Sequence, residues 1–179
     1  KIALVMKDYD INKSGAERYL AGIVSEMAKE GVSVDLIAAR FKGRIPDGVV
    51  KRPVKALMKS SILKPITFNW AVQRLLKKLH YDIVYGLTQI YPQDVYRAGG
   101  GVEHSWYKIK YPRWWMRIIN YIRPRIAVRL YMENQIFKSS NFRMIITNSL
   151  FCKYQILANY KILPENITVI YNGVDKTRF

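Results

Sequence analysis

The chain has 179 residues, which is about the length of one domain. Half of the residues are hydrophobic, so the chain can bury a sizeable core, and 30 basic against 13 acidic residues give a formal net charge of +17. Such a charge predicts an anionic partner, which can be nucleic acid, a membrane surface or a phosphorylated substrate. With Cys152 as the one cysteine and His80 and His104 as the two histidines, an internal disulfide and a cysteine- or histidine-rich metal site are excluded.

The N-terminal apolar run is short and is followed at once by charged residues. Residues 2–6 therefore do not form a signal peptide, and they predict a first buried strand. Nowhere does an apolar stretch come near the roughly 20 residues that span a bilayer.

A strand, a helix and a second strand follow one another in the first part of the chain. After a polar loop at residues 7–15, apolar residues recur at helical spacing from Ala16 to Met27. Ser14 and Glu17 form a capping box at the start of this helix, and Gly31 stands where a C-terminal cap glycine belongs. Residues 32–40 then read as a strand, so this part predicts a βαβ unit of a parallel sheet.

The same alternation continues to the end of the chain. Helices are predicted at residues 65–80, at 112–140 with a break at Pro124, and at 149–160, where Ser149 begins the helix. Further strands are predicted at residues 48–54, 81–86, 142–149 and 166–173. The pattern predicts an α/β fold, Rossmann-like and doubly wound, with a mainly parallel sheet and helices on both faces.

Ligands of doubly wound sheets bind beyond the carboxyl ends of the strands. Three segments fall there by this reading: residues 13–15, the glycine run Gly99–Gly101 at the end of a strand, and residues 172–173.

Four segments of the chain together resemble a known family. They are residues 13–37, residues 81–107, Glu133 within "YMENQIF", and residues 145–179 with "ITVIYNGVDKTRF" at their end. The last segment is the most specific. On these segments the chain resembles the N-terminal half of a GT-B fold glycosyltransferase of family four, nearest to the subgroup that glucosylates the heptose core of lipopolysaccharide.

The resemblance implies a two-domain enzyme. Residues 1–179 are then the N-terminal, Rossmann-like, acceptor-side domain, which ends at the interdomain hinge, and the C-terminal nucleotide-sugar domain lies outside the chain. The expected activity is that of a hexosyltransferase, which moves a hexose from a nucleotide sugar to a lipopolysaccharide-core or other cell-envelope glycan or glycolipid. The chain is expected to be inactive without its C-terminal domain.

The resemblance also implies how the reaction is supported. Transfer is expected to be retaining and metal-independent, and no cofactor is expected beyond the nucleotide-sugar co-substrate, first of all a UDP-sugar. The expected partners are the nucleotide sugar, the acceptor, the protein's own C-terminal domain and an anionic membrane surface, and nucleic acid is not expected. The expected location is cytoplasmic, peripheral on the inner face of the cytoplasmic membrane.

Residues at the start of the first helix are candidates for the donor phosphates. Backbone N–H groups and the positive end of the helix dipole suit an anion there, and Ser14 and Gly15 are the predicted contacts. Ser14 can equally serve to cap the helix. Arg18 is expected to bind the acceptor or to neutralise a phosphate, and it can equally be a solvated residue on the helix surface.

The segment around the glycine run carries the candidates for the reaction centre. By resemblance, Gly99, Gly100, Gly101 and Glu103 contact the acceptor, since glycine permits positive φ and close approach of a ligand. His104 is a catalytic candidate because its charge is adjustable near neutral pH. Asp94 is a second catalytic candidate. The alternatives are that Asp94 pairs with Arg97 and that His104 simply begins the next helix.

A basic and aromatic stretch follows His104. Tryptophan and tyrosine interleaved with lysine and arginine suit the boundary of an anionic membrane. We predict a membrane- or acceptor-binding surface there, with part of the stretch buried in the core. The predicted surface residues are Lys108, Lys110, Arg113, Trp114, Trp115 and Arg117.

Other classes of protein remain as alternatives. A non-catalytic module that binds a membrane, nucleic acid, sugar or lipid would share the charge and the aromatic residues. A dinucleotide oxidoreductase would share the α/β alternation, but no G-x-G-x-x-G follows the first strand. No histidine or cysteine pattern with metal-ligand spacing is present, so no metal site is predicted.

Overall fold

The computed structural model describes residues 1–10 and 15–173, without the side chains of residues 15–18, 21, 28 and 139. The strands are β1 (Ile2–Val5), β2 (Asp8–Asp10), β3 (Val34–Ala38), β4 (Arg40–Lys42), β5 (Val49–Pro53), β6 (Ile83–Gly86), β7 (Val95–Ala98), β8 (Met144–Thr147) and β9 (Ile167–Val169). The helices are α1 (Gly15–Lys29), α2 (Leu63–Leu76), α3 (Glu103–Lys110), α4 (Trp114–Tyr121), α5 (Pro124–Ile136) and α6 (Leu150–Asn159).

Within the described residues, seven parallel strands form one sheet in the order β5-β3-β1-β6-β7-β8-β9. From β1 the chain first builds outward to β3 and β5, then crosses back and builds β6 to β9 on the other side. This doubly wound, Rossmann-like architecture confirms the predicted fold class. The direction reverses between β1 and β6, and a crevice at the carboxyl ends of these strands is the usual binding place.

Helices cover both faces of the sheet, as the side chains of β1 show. Leu4 packs in a cluster with Leu20 of α1, whereas Ala3 and Val5 pack in a different cluster with Phe68 of α2. Successive side chains of a strand point to opposite faces, so α1 and α2 lie on opposite sides. A third cluster joins β8 and β9 to α6 through Ile145, Ile156 and Ile167.

Several predicted helix ends are confirmed. Gly31 has φ +72°, and the N–H of Val32 donates to the carbonyl of Met27 at 2.9 Å, the bond that closes a Schellman motif. Ser149 caps α6 by accepting the N–H of Cys152 at 3.2 Å. The predicted long helix is divided near Pro124, as expected: α4 ends at Tyr121 and α5 begins at Pro124. At the first position of a helix the missing N–H of proline costs nothing. The capping box of Ser14 and Glu17 lies outside the described residues.

One pair of strands was not predicted. β2 and β4 form a two-stranded parallel ribbon in segments that the sequence assigned to a polar loop and to the end of a strand. Tyr9 explains the ribbon, because its ring is fully buried between two partly exposed aspartates. A single buried side chain does not make a periodic pattern, so this strand escapes a periodicity argument. No helix in the described part of the chain is long and apolar enough to cross a membrane.

Candidate functional site

A cleft of about 820 Å³ lies at the carboxyl ends of the central strands. Lys7 follows β1, Leu87 follows β6, Gly99 follows β7, Asn148 follows β8 and Asn172 follows β9, and all of them line the cleft. The cleft therefore occupies the place that the doubly wound topology reserves for a ligand. The predicted position of the glycine run in this cleft is confirmed.

Basic side chains outnumber acidic ones in the lining of the cleft. The acidic side chains are Glu103 and Glu133, and the basic ones are Lys7, Lys64, Arg97, Arg125 and Arg129. Burial lowers the pKa of Lys7, and the nearby Lys64 and Arg129 lower it further. Clustered cations that repel one another in a partly desolvated cleft favour the binding of an anion.

Arg97 is the most buried of these cations. It lies in β7 with 8% of its surface exposed, and its guanidinium lies over the ring of Tyr19 at 3.3 Å. One terminal nitrogen donates to Oδ1 of Asn172 at 2.5 Å, whereas Nη1 has no hydrogen-bond partner among the described residues. A buried donor without a partner is costly. An anion bound in the cleft can accept the hydrogen bond that Nη1 lacks.

The glycine run gives the cleft a wall without side chains. Gly99 and Gly100 are exposed, and the carbonyl of Gly99 accepts the side-chain N–H of Asn148 at 2.9 Å. Gly101 has φ +80°, and a Cβ added to it would lie 3.0 Å from the indole nitrogen of Trp106. The run therefore exposes backbone to a ligand and turns sharply into α3.

Glu133 fixes the start of α3. Its side chain is buried, and its two carboxylate oxygens accept the backbone N–H groups of Glu103 at 2.5 Å and of His104 at 3.0 Å. The hydroxyl of Tyr160 donates to the same carboxylate at 2.5 Å. A carboxylate at a helix N-terminus satisfies unpaired donors and is stabilised by the helix dipole. Burial and Glu133 raise the pKa of Tyr160, which keeps this donor protonated.

Glu103 and His104 lie on different sides of α3. Glu103 lines the cleft, and its carboxylate forms an ion pair with Arg129. The Nδ1 atom of His104 lies 3.1 Å from the hydroxyl of Tyr160, and the two rings meet edge to face at 5.8 Å. Successive helical residues are turned by about 100°, and here the turn carries the His104 ring to Tyr160 while Glu103 lines the cleft. His104 is the second residue of α3, in the first turn of the helix, and it is not among the residues that line the cleft.

Asp94 lies at the amino end of β7, away from the cleft at the carboxyl ends of the strands, which corrects the expectation that it faces the cleft. It precedes β7, and its side chain accepts the N–H of Val84 at 2.8 Å and pairs with Arg143 at 3.0 Å. Its partner is therefore Arg143 and not Arg97. The physical reason is strand direction: Asp94 and Gly99 flank the same short strand, so they emerge at its two ends.

The predicted phosphate and acceptor contacts at the start of α1 fall outside what the structure describes. Ser14 lies outside the described residues, and so do the surroundings of Gly15 and the side chain of Arg18. Sequence reasoning also missed residues that line the cleft. Glu133 was noted without a role, and Lys7, Lys64 and Arg129 were not candidates. Lys7 follows β1, Lys64 lies in α2, and Arg129 and Glu133 lie one turn apart in α5, so no single local motif joins all four.

The predicted basic aromatic surface is largely exposed. Trp114 is 72% exposed, Ile118 58% and Ile122 76%, and Asn120 is the buried residue of α4. Arg117 donates to the carbonyls of Tyr111 at 2.8 Å and Pro112 at 3.1 Å, so it closes the turn between α3 and α4. Trp115 and Arg113 are also exposed. Of the six predicted surface residues, Arg117 is partly buried and the other five are exposed: Lys108, Lys110, Arg113, Trp114 and Trp115.

Lys108, also in this predicted surface, makes a polar contact with another helix. Lys108 donates to Oδ1 of Asn159 at 2.8 Å, which ties α3 to α6. Across residues 1–10 and 15–173, no group of three histidine, cysteine, aspartate or glutamate side chains is arranged to hold a metal ion.

Comparison with known proteins places this geometry in context. The profile of Glycosyltransferase Family 4 matches residues 13–178. The crystal structure of WaaG, a glycosyltransferase involved in lipopolysaccharide biosynthesis, matches with a TM-score of 0.87 and 18% identity over 99% of this chain and 46% of that chain. A glycosyltransferase structure from Rickettsia africae ESF-5 matches with a TM-score of 0.53 and 14% identity over 97% of this chain and 43% of that chain.

The chain thus spans less than half the length of these two solved proteins. No curated protein sequence matches it.

Proposed function

The chain belongs to glycosyltransferase family 4, and from this premise we propose that it is the acceptor-side domain of a hexosyltransferase. The enzyme moves a hexose from a nucleotide sugar to a lipopolysaccharide-core or another cell-envelope glycan or glycolipid. The observation that carries the proposal is the cationic cleft at the carboxyl ends of β1 and β6 to β9. The GT-B arrangement, in which a second domain closes over this cleft, is supported by the chain's matching less than half of WaaG.

In this proposal the buried cations face the diphosphate of the donor. Arg97 is fixed by Tyr19 and Asn172, and Lys7 lines the same cleft. Fixed positive charge stabilises the negative charge that develops on a leaving diphosphate. The same cations supply charge neutralisation from the protein itself, which supports metal-independent transfer. A UDP-sugar is the first donor to test, and retention of configuration rests on the family resemblance.

The acceptor side is formed by the glycine run and Glu103. Gly99 and Gly100 offer backbone to a sugar, and the carboxylate of Glu103 accepts a hydrogen bond from an acceptor hydroxyl. During transfer the bond from the sugar C1 to the diphosphate oxygen breaks and a bond from C1 to the acceptor oxygen forms. The acceptor proton leaves with the diphosphate. The protein contributes chiefly by positioning the two substrates and stabilising charge.

We further propose that the protein attaches peripherally to the inner face of the cytoplasmic membrane. The exposed apolar side chains of α4, with Arg113 and Lys110 beside them, form an amphipathic surface. Such a helix lies in the headgroup region of an anionic membrane. Attachment there brings the cleft to a lipid-linked acceptor.

Nucleotide release by the full-length protein tests the proposed activity. The assay supplies a panel of nucleotide sugars with and without a lipopolysaccharide-core acceptor. We expect acceptor-dependent release with one donor. Glu103→Gln should raise the acceptor KM about tenfold, the typical effect of losing one hydrogen bond to a charged group. His104→Ala is the matched variant from the neighbouring position, and it should stay within about threefold of wild type. Absence of release with every donor would contradict the proposal.

A further inference from the structure

A second cavity, of about 320 Å³, adjoins the cleft between α3 and α5. We call it the side chamber. Gly100, Glu103 and Arg129 line both cavities, so the chamber opens into the cleft beside the acceptor wall. A volume near the lower end of the roughly 300–1,000 Å³ of small-molecule sites suits a ligand of monosaccharide size.

The lining of the chamber combines aromatic faces with positive charge. Trp106, Tyr107 and Tyr111 line it from α3 and the following turn, and Tyr107 and Tyr111 meet edge to face at 5.1 Å. The hydroxyl of Tyr107 donates to the carbonyl of Arg117, which fixes the orientation of its ring. Flat aromatic faces with a polar edge pack well against the C–H face of a sugar ring.

The cations of the chamber come from two helices. Lys110 of α3 lies with its ammonium 5.5 Å from the centre of the Tyr111 ring, and Arg129 of α5 is half exposed. Glu103 neutralises Arg129 in part through their ion pair. A guanidinium has five donors and one carboxylate uses at most two of them, so Arg129 can bind an anion while Glu103 stays beside it.

We propose that the side chamber binds an anionic sugar unit of the acceptor, next to the sugar that receives the hexose. The inference rests on the proposed function, and it adds a specificity site that the cleft alone does not have. The charge on the sugar can be a phosphate or a carboxylate, because both fit a guanidinium and an ammonium group. The aromatic rings hold the sugar ring, and Lys110 and Arg129 hold its charge.

A lipid chain is the competing occupant, and the lining argues against it. Ile126 and Leu130 are the aliphatic side chains of the chamber, while the remaining lining is glycine, polar-tipped aromatic or charged. The exposed apolar residues of α4 lie outside this lining, and they are the surface suited to lipid. The acceptor can then have its lipid part at α4 and its charged sugar in the chamber.

Binding is measured by the NMR signal of the Trp106 indole in the full-length protein carrying ¹⁵N-labelled tryptophan. The probes are glucose 6-phosphate, glucuronate, methyl glucoside and inorganic phosphate. We expect the first two to shift the signal at millimolar concentration, and the stronger of the two identifies the charge as phosphate or carboxylate. Methyl glucoside and phosphate alone should bind at least about tenfold more weakly, since each lacks one half of the recognition. This readout measures binding and needs no turnover. A failure of the side-chamber proposal can therefore be distinguished from a failure of the proposed transferase activity.

Two pairs of variants test the lining. Arg129→Gln should weaken the binding of the preferred probe at least about tenfold. Arg143→Gln makes the same charge change at the amino ends of the strands, away from the chamber, and should leave probe binding unchanged. Tyr111→Leu should weaken binding, and Trp70→Leu, an exposed aromatic on α2, should not. An unshifted Trp106 signal with both anionic probes would overturn the proposal. Equal affinity for methyl glucoside, equal affinity for phosphate, or tighter binding of dodecyl phosphate than of glucose 6-phosphate would each overturn it too.

Discussion

At the residue scale, the glycine run before α3 divides into two kinds of position. Gly101 has φ +80° and lies under Trp106 and Gln155, whereas nothing lies within 4 Å of a Cβ added at Gly100. The first position needs glycine for the backbone, and the second leaves space on the ligand side. Three identical letters in the sequence therefore serve different purposes.

We predict that Gly101→Ala destabilises the fold by about 1–3 kcal/mol, because alanine is strained at this φ and its Cβ meets Trp106. Gly100→Ala is the matched control, and its free energy of unfolding should change by less than about 0.5 kcal/mol. Urea unfolding of the two variants checks this. Equal destabilisation by both variants would contradict the conclusion that Gly101, and not Gly100, is required by the backbone.

Asp35 is a second residue whose role depends on its surroundings. It is fully buried in β3, where it accepts hydrogen bonds from Arg52 at 2.8 Å and from Tyr81 at 2.7 Å. Burial raises the pKa of Asp35, but these bonds and Lys1 outweigh burial and leave the pKa below its usual value. Ionised Asp35 therefore stabilises the fold above about pH 4, and this stabilisation is lost as the pH falls through the folded-state pKa.

We predict that Asp35→Asn lowers the free energy of unfolding at pH 7 by about 1–3 kcal/mol. The difference from wild type should stay constant between pH 7 and 5 and narrow below about pH 4. Urea unfolding across this pH range measures it. A difference that widens on acidification would show that the pKa is raised and not lowered.

At the element scale, α3 depends on a residue of another helix. α3 has eight residues and no side-chain cap of its own, and Glu133 of α5 accepts its first N–H groups. A helix this short is unstable alone. The packing of α3 against α5 turns Glu103 toward the cleft and leaves the side chamber between the two helices.

We predict that Glu133→Ala frees the start of α3 and costs about 1–3 kcal/mol, since buried donors lose their acceptor. Hydrogen exchange at the amides of Glu103 and His104 should speed up at least tenfold, with the amides of β1 unaffected below global unfolding. Glu133→Gln keeps the shape but removes the charge, so its effect should be smaller. Unchanged exchange at both amides in Glu133→Ala would contradict the anchoring role.

At the scale of the whole molecule, charge and exposed apolar surface act together. The net charge of +17 attracts the chain to any polyanion, so charge alone does not separate a membrane from nucleic acid. The proposed membrane attachment depends on the exposed face of α4, because apolar side chains gain free energy from insertion into lipid and not from contact with a phosphate backbone.

We predict that the full-length protein binds vesicles with anionic lipid more tightly than duplex DNA at about 0.15 M salt. The double variant Ile118→Ser with Ile122→Ser should weaken vesicle binding at least tenfold, because two exposed apolar side chains lose their burial in lipid. Flotation with the vesicles measures this.

Phe151→Ser with Tyr154→Ser removes exposed aromatic surface from α6 and serves as the control. Tighter binding to DNA, or an equal loss in the control variant, would contradict membrane attachment through α4.

The sequence by itself determined the architecture, because strands buried on both faces leave short continuous apolar runs and helices buried on one face leave periodic patterns. Strands such as β1 and β3, the break at Pro124, the caps at Gly31 and Ser149, and the glycine run beside the cleft could all be predicted. The tertiary structure alone decided which side chains share the cleft. Glu103 and not His104 faces it because of the rotation of α3, and Asp94 lies away from it because of strand direction. Lys7 after β1, Arg97 of β7, and Arg129 with Glu133 of α5 meet there from three separate parts of the chain. Such long-range proximity has no local pattern, since the crossovers of the chain create it.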